Sequence, residues 1–226
     1  DLYEQCQSRG LTHAVLLGMG GSSLAPEVLE LLHRSDLGNE TKGLELIILD
    51  STDPEQVLAS EKKASIDKTL FIVASKSGTT AEINAFLSYF WSLAQKRFGT
   101  RAGEHFIAIT DPGTKLEELA RSRGFWKIFS ADPQVGGRNS ALTAFGLVPP
   151  ALAGWDVEKL LKNAMAAAES CSADKPLTAN PGVILGAILG SAAVSGKDKI
   201  TLITDSLWTP FGAWLEQLIA ESSGKN

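Results

Sequence analysis

The chain has 226 residues, long for one domain and short for two, so a complete domain followed by part of a second is the expected plan. With 44% hydrophobic and 21% charged residues its composition is ordinary for a globular protein, and a net charge of -5 without a lysine or arginine run argues against a nucleic-acid or membrane surface. A small anion would have to be held by local dipoles and hydroxyls. Cys6 and Cys171, far apart and without metal-like neighbours, point to a reducing compartment with no disulfide framework. Residues 1–5 have neither the basic flank nor the apolar core of a signal peptide, so a cytoplasmic location is expected.

Residues 2–9 read as the last turns of a helix with no cap ahead of it, as if the chain began inside a longer protein. Val15–Leu17 continue an apolar run of buried-strand type. The run breaks into Gly18-Met19-Gly20-Gly21-Ser22-Ser23 before Leu24, Val28, Leu29 and Leu32 resume at helical spacing. Glycines let a backbone approach a ligand, and the first N–H groups of a helix have no internal partner, so this strand–loop–helix start reads as an anion site, with a plain connecting turn as the alternative. It is not a P-loop, because no lysine lies between Gly18 and Lys42. A dinucleotide fingerprint could start at Gly18-Met19-Gly20, with Asp50 as the ribose carboxylate, but Ser23 stands where the third glycine belongs. The adjacent hydroxyls of Ser22 and Ser23 suit a terminal monophosphate better, so sugar phosphate ranks above dinucleotide.

A helix over about 23–34 is followed by a second strand over 44–50 and by Thr52-Asp53-Pro54, an N-cap with proline entering a helix. The third strand, Leu70–Ala74, runs into Ser75-Lys76-Ser77-Gly78-Thr79-Thr80. A helix to about Arg97 comes next, with Ile83, Phe86, Leu87, Phe90 and Leu93 on its apolar face. A fourth strand over 106–110, the turn Asp111-Pro112-Gly113, a helix over 115–123 and a short fifth strand over 126–129 complete the alternation. The expected fold is therefore α/β, a three-layer α-β-α sandwich around a five-stranded parallel sheet. Ligands of such sheets bind beyond the carboxyl ends of the strands near the switch in strand order. Ser22, Ser23, Ser75, Ser77, Thr79 and Thr80 can converge there, unless the second loop is only a serine/threonine N-cap. Lys76 reads either as a charge for the anion or as a solvated side chain whose backbone matters more.

Val135-Gly136-Gly137-Arg138-Asn139-Ser140 follows the fifth strand. An arginine after two glycines can reach over a pocket and stabilise a developing oxyanion with its fork of donors, or it can form a surface ion pair; Glu82 is a candidate to hold it. Pro149-Pro150 and Gly154 mark the expected boundary between a first domain over 1–150 and a region over 151–226 holding a linker helix (156–169) and the incomplete start of a second α/β domain. Gly182, Gly186 and Gly190 at four-residue spacing resemble a membrane helix-pairing face, but the apolar run of about 14 residues is short of the roughly 20 needed to span. A buried helix against a neighbour is expected instead. Residues 199–205 read as a further buried strand, and 211–220 as an amphipathic helix leading to Glu221-Ser222-Ser223-Gly224-Lys225.

Four of these stretches together resemble the phosphoglucose isomerase family, whose domains have the flavodoxin-like sugar isomerase fold: Gly18–Ser22 its first glycine loop, Ser75–Thr80 its phosphate loop, Val135–Ser140 its arginine motif and Glu221–Lys225 its glutamate motif. The wording from Leu16 to Glu27 is similar to the isomerase half of fused transaldolase/phosphoglucose isomerases. The resemblance implies that Ser75, Ser77 and Thr80 hold the substrate phosphate with help from the backbone of Lys76, and that Gly21 and Ser22 contact the sugar. It further implies Gly137 and Arg138 at the C1–C2 region, Gln217 at the substrate hydroxyls, and Glu221 as the base. The implied reaction interconverts glucose 6-phosphate and fructose 6-phosphate through a cis-enediolate, with no metal or redox cofactor. A sugar phosphate is the implied partner, and there is room for a homodimer and for fusion to a transaldolase domain.

The sequence also departs from the family. Gly78 and Asn139 stand where phenylalanine is usual, which leaves open the choice between glucose and mannose 6-phosphate. The family's ring-opening histidine and late lysine lie beyond the glutamate motif, and His13, His33 and His105 are not in its motifs, so an inactive fragment of an isomerase is expected. A non-catalytic sugar-phosphate-binding module of the same fold is the alternative; it needs the phosphate loop but neither Arg138 nor Glu221.

Overall fold

The structure, a computed structural model, describes residues 2–37 and 43–224. Two compact units divide the chain, one formed by residues 1–155 with 206–226 and the other by residues 156–205. In the first, β1 (His13–Leu17), β2 (Glu45–Leu49), β3 (Thr69–Ala74), β4 (Phe106–Thr110) and β5 (Lys127–Ser130) form one sheet in the order β2-β1-β3-β4-β5. Every pairing is parallel, with Val15 opposite Ile47 and Phe71 and, further along, Ile109 opposite Phe129.

Apolar residues run consecutively along the inner strands because both faces of the sheet are covered. Val15, Leu17, Phe71, Val73, Phe106 and Ala108 point to one face, where α4 (Ala81–Phe98) presents Ile83, Phe86, Leu87 and Phe90 and α5 (Lys115–Ser122) presents Leu116 and Ala120. Their chain neighbours Ala14, Leu16, Leu70, Ile72, Ile107 and Ile109 point to the other, against Cys6 of α1 (Leu2–Ser8) and Phe145 and Leu152 of α6 (Ala144–Leu152). The central strand β3 is buried at every residue; β5, at the edge, is not. Phe71 stacks between Phe90 and Phe106, its ring centroid 4.9 Å from each, and so locks sheet to helix.

Helix starts follow their local signals. Asp53 accepts from the Glu55 N–H ahead of α3 (Pro54–Lys63), and Thr114 caps α5 through the Glu117 N–H. α2 (Leu24–Leu37) packs against α6. α6 continues through Pro149–Pro150 and stops at Ala153, before Gly154 at φ +93. α9 (Phe211–Ser223) extends past Ala220, so that Glu221 belongs to its last turn.

Residues 156–205 overturn two expectations. α7 (Val157–Ser170) leads to α8 (Pro181–Val194), whose N-cap Asn180 bonds the Val183 N–H. α8 buries none of its residues; a Cβ on Gly186 or Gly190 would meet nothing within 4 Å, and at Gly182 the nearest atoms it would meet belong to Cys171 and Asn180, so no helix packs on the glycine face among the described residues. Residues 199–205 form no strand. A lone extended segment leaves its backbone N–H and C=O groups without a ladder, which only a neighbouring strand could supply.

Two expected outcomes test this packing. Phe71→Ala should destabilise the first unit by about 3–5 kcal/mol in denaturant unfolding, the cost of deleting a fully packed aromatic. Burial pushes the Cys6 thiol up to about 11, whereas Cys171 is exposed. The folded chain should therefore titrate one fast thiol with a disulfide reagent at neutral pH and two after unfolding.

Candidate functional site

In strand order β1 and β3 are neighbours from which the chain departs in opposite directions, and the crevice beyond their carboxyl ends is where an open parallel sheet accepts a ligand. The loops leaving these two strands are the two glycine- and hydroxyl-rich stretches. Gly18-Met19 leads into a 3-10 turn over Gly20–Ser22, where Gly20 has φ +54. The Ser22 and Ser23 N–H groups bond Met19 and Gly20 carbonyls, so the turn satisfies itself. Ser23 is fully buried with its hydroxyl on the Gly20 carbonyl at 3.2 Å, which removes it from the expected set of anion donors.

The second loop is built differently. Ser75 is buried, its N–H donating to the Ile109 carbonyl and its hydroxyl accepting from the Gly78 N–H while meeting Thr80 Oγ1 at 3.2 Å. Thr80 stands at the N-cap of α4, yet its side chain makes no capping bond. The simple capping alternative therefore fails, and the N-terminus of an 18-residue helix is left without a side-chain cap. Ser77 and Thr79 hydroxyls pair at 2.9 Å. Gly78 has φ +68, and a Cβ there would lie 2.7 Å from the Leu116 N. A phenylalanine could not occupy this position without moving the loop off α5.

A cavity of about 380 Å³ opens between the loops, lined by Gly21, Ser22, Ser75, Lys76, Ser77, Thr80, Gly137 and Asp111 among others. Seven predicted site residues thus share one space, while Ser23 and Thr79 are not among those lining it. The Lys76 ammonium is not free in it: Nζ donates to Asp111 Oδ2 at 2.6 Å and to the carbonyls of Asp132 and Pro133 at 3.2 Å. The side chain is therefore not the solvated one of the second alternative, and its charge is already paired with Asp111. Asp111 carried no signal beyond its place in a turn, and the sequence reading passed it over.

Arg138, Gln217 and Glu221 do not line this cavity but gather next to Gly137, which does. The arginine motif lies in a 3-10 helix over Gly137–Leu142, seated on the first glycine loop so closely that a Cβ on Gly21 would come 2.4 Å from the Gly137 carbonyl oxygen. The buried Ser140 hydroxyl lies 2.9 Å from the Gly21 carbonyl and 2.6 Å from that of Gly137, joining the two loops. From this seat Arg138 Nε donates to Ser222 Oγ at 2.8 Å and Nη1 approaches Glu221 Oε2 at 3.8 Å, so its partner is Glu221 and not the expected Glu82. Gln217, one turn earlier on α9, donates from Nε2 to Glu221 Oε1 at 3.1 Å and keeps a buried Oε1 without a partner among the described residues. Neither His13, which faces Glu45, nor His105, stacked on Phe98, lines the cavity.

The family model for phosphoglucose isomerase matches residues 3–226. A glucose-6-phosphate isomerase of Carboxydothermus hydrogenoformans is 37% identical over 219 residues, 93% of this chain but 47% of that relative. Among solved structures, a hypothetical protein of Thermus thermophilus superposes with a TM-score of 0.85 at 31% identity, covering 99% of this chain and 52% of the other. A glucose-6-phosphate isomerase of Chlamydia trachomatis gives 0.84 at 26% identity over 99% of this chain and 42% of the other. The chain thus spans about half the length of these relatives. A family-model match over residues 3–226, on an α/β fold shared with the solved relatives, means that the chain belongs to the phosphoglucose isomerase family.

Proposed function

We propose that this chain carries the phosphate-binding half and the proton-transfer groups of a glucose-6-phosphate isomerase. The reading rests above all on one juxtaposition: Arg138 reaches both Ser222 and Glu221 beside a cavity lined by the hydroxyls of Ser75, Ser77 and Thr80. The phosphate sits on those hydroxyls and the uncapped N–H groups of α4, where a helix dipole and short donors favour an anion without a basic patch. The sugar extends past Gly21 and Ser22 toward Gly137 and Arg138, and Gln217 meets its hydroxyls.

Glu221 then takes the proton from C2 of the open-chain aldose and returns it to C1 of the cis-enediolate, while the O2 hydroxyl proton passes to O1, giving the ketose; the exchange is redox-neutral overall. Arg138 stabilises the enediolate oxyanion through a planar fork that a lysine cannot reproduce. A binding module would have no use for a carboxylate held beside that arginine, which favours the enzyme over the non-catalytic alternative.

We also read residues 151–226 as the passage into a second sugar isomerase domain, with α9 contributing Glu221 and Gln217 to the first. The unpartnered apolar face of α8 and the length of the relatives support this, as does the match of the family model through residue 226. Alone, the 226-residue chain should bind sugar phosphate weakly and turn it over negligibly; turnover at the rate of a full-length relative would refute the division.

Thr80→Val should weaken fructose 6-phosphate binding by roughly 1–3 kcal/mol in calorimetry, the range for an unmade hydrogen bond to a charged group. In the full-length protein Glu221→Gln should leave ligand affinity nearly unchanged while turnover falls by at least about 10²–10⁴-fold. Arg138→Lys should lower turnover more than ground-state binding. With deuterium at C2 of glucose 6-phosphate, the wild type should lose part of the label to water. Complete retention, or an active Glu221→Gln variant, would remove Glu221 as the base.

A further inference from the structure

The cavity that we assign to the phosphate is lined by an acid. Asp111, directly after β4, has a side chain only 14% exposed; its Oδ2 takes the Lys76 ammonium at 2.6 Å, and its Oδ1 is buried with no donor. Lys76 Nζ also donates to the carbonyls of Asp132 and Pro133, in the segment that follows β5 and leads to Gly137 and Arg138. In the opposite direction, the Asp111 N–H and the Thr110 hydroxyl donate to the Lys76 carbonyl at 3.3 and 3.4 Å. One ammonium therefore ties together the chain leaving β3, β4 and β5.

We propose that Asp111 is the charge-setting residue of the anion site: it cancels the Lys76 charge beside the phosphate and turns that side chain into a strut between the phosphate loop and the arginine loop. The inference rests on the Ser75–Thr80 loop holding a phosphate, as proposed above. Three physical facts lead to it. A lysine recruited as a counter-ion would extend three donors toward the ligand, but all three are taken by protein oxygens here. Asp111 Oδ2 meets the Lys76 ammonium at 2.6 Å while its Oδ1 has no donor among the described residues, so the two opposite charges are placed to offset each other beside the cavity. A neutral pair lets the hydroxyls and helix N–H groups decide affinity, which suits a site that must release a charged product as readily as it binds a charged substrate.

The sign of the effect distinguishes this device from a simple phosphate-binding lysine and from a structural ion pair. Inorganic phosphate is titrated calorimetrically, at low and high salt, into the full-length protein and its Asp111→Asn, Lys76→Gln and Lys76→Gln/Asp111→Asn variants. Asp111→Asn keeps an acceptor for Nζ but deletes a negative charge lining the cavity, so it should bind phosphate about 3- to 10-fold tighter at low salt, with the gain shrinking at high salt. Lys76→Gln leaves the carboxylate unpaired and should bind more weakly by a similar factor, and the neutral double variant should return to within about twofold of the wild type. A purely structural pair would weaken binding in every variant without the salt dependence. Unchanged or weaker binding by a folded Asp111→Asn protein overturns the proposal. If Lys76→Gln unfolds below the titration temperature, the isosteric Asp111→Asn comparison decides alone. Thr80→Val separates the two levels: phosphate binding as in the wild type would overturn the phosphate site itself, and the strut's role with it. Weakened binding in Thr80→Val with no tightening in Asp111→Asn overturns only the assignment of Asp111.

Discussion

Gly21 and Gly137 touch backbone to backbone. No side chain fits between them, since a Cβ on Gly21 would stand 2.4 Å from the Gly137 carbonyl oxygen, and the hydroxyl of Ser140 reaches the carbonyls of both. The contact joins segments separated by 119 residues between Gly21 and Ser140, and the rest of the site is arranged around it. Gly137 is followed at once by Arg138, so the direction of the guanidinium depends on how closely the two loops approach. Ser22, next to Gly21, lines the same cavity as Gly137. Glycine is needed here for close approach, a different requirement from the positive φ of Gly20 or Gly78.

Sheet topology makes this contact available. Because the chain leaves β1 on one side and β3 on the other, the loops after them flank a gap that no crossover helix fills. The arginine loop enters the gap after β5, and α9 closes on it through the Ser222 and Glu221 side chains. Each contributor starts from a rigid strand end or helix. A buried core with Phe71 packed against both Phe90 and Phe106 holds those ends still, and a site whose groups must keep their places to within about half an ångström needs such support.

Much of this was legible in the sequence where the signal is local. Alternate strand residues facing opposite layers, the Asp53-Pro54 helix start and the two hydroxyl-rich loops follow from periodicity and capping rules that act over a few residues. Failures came where the deciding atom lies far along the chain. Ser23 looks like Ser22 in sequence, but its hydroxyl turns to the Gly20 carbonyl and is buried. For Lys76 the sequence leaves open a charge for the anion and a solvated side chain, and Asp111, 35 residues later, takes its ammonium. Arg138 has an acid available at Glu82 in the first turn of α4, and the fold supplies Glu221 instead. α8 and residues 199–205 have the composition of buried elements, yet composition states only that apolar surface needs covering and not that a cover is within reach.

The two halves of the site therefore differ in how they are encoded. The half proposed to hold the anion is contained almost wholly in residues 75–80 and the helix that follows: Ser75 and Thr80 meet across one turn of chain, the Gly78 N–H closes the loop on Ser75 Oγ, and α4 brings its dipole with it. Such a unit can be carried by any protein that needs to hold a phosphate, which is why its sequence pattern alone does not separate an enzyme from a binding module. The other half exists only when chain from three distant places is assembled, with Gly21 below, Arg138 across and Gln217 and Glu221 arriving on α9. Gln217 shows how tight that assembly is, since its amide nitrogen would lie 3.0 Å from a Cβ on Gly20 while it donates to Glu221. A change in the first half should alter how tightly an anion is held. In the proposed reading, a change in the second acts through the relative positions of Arg138 and Glu221, and so bears on chemistry before affinity.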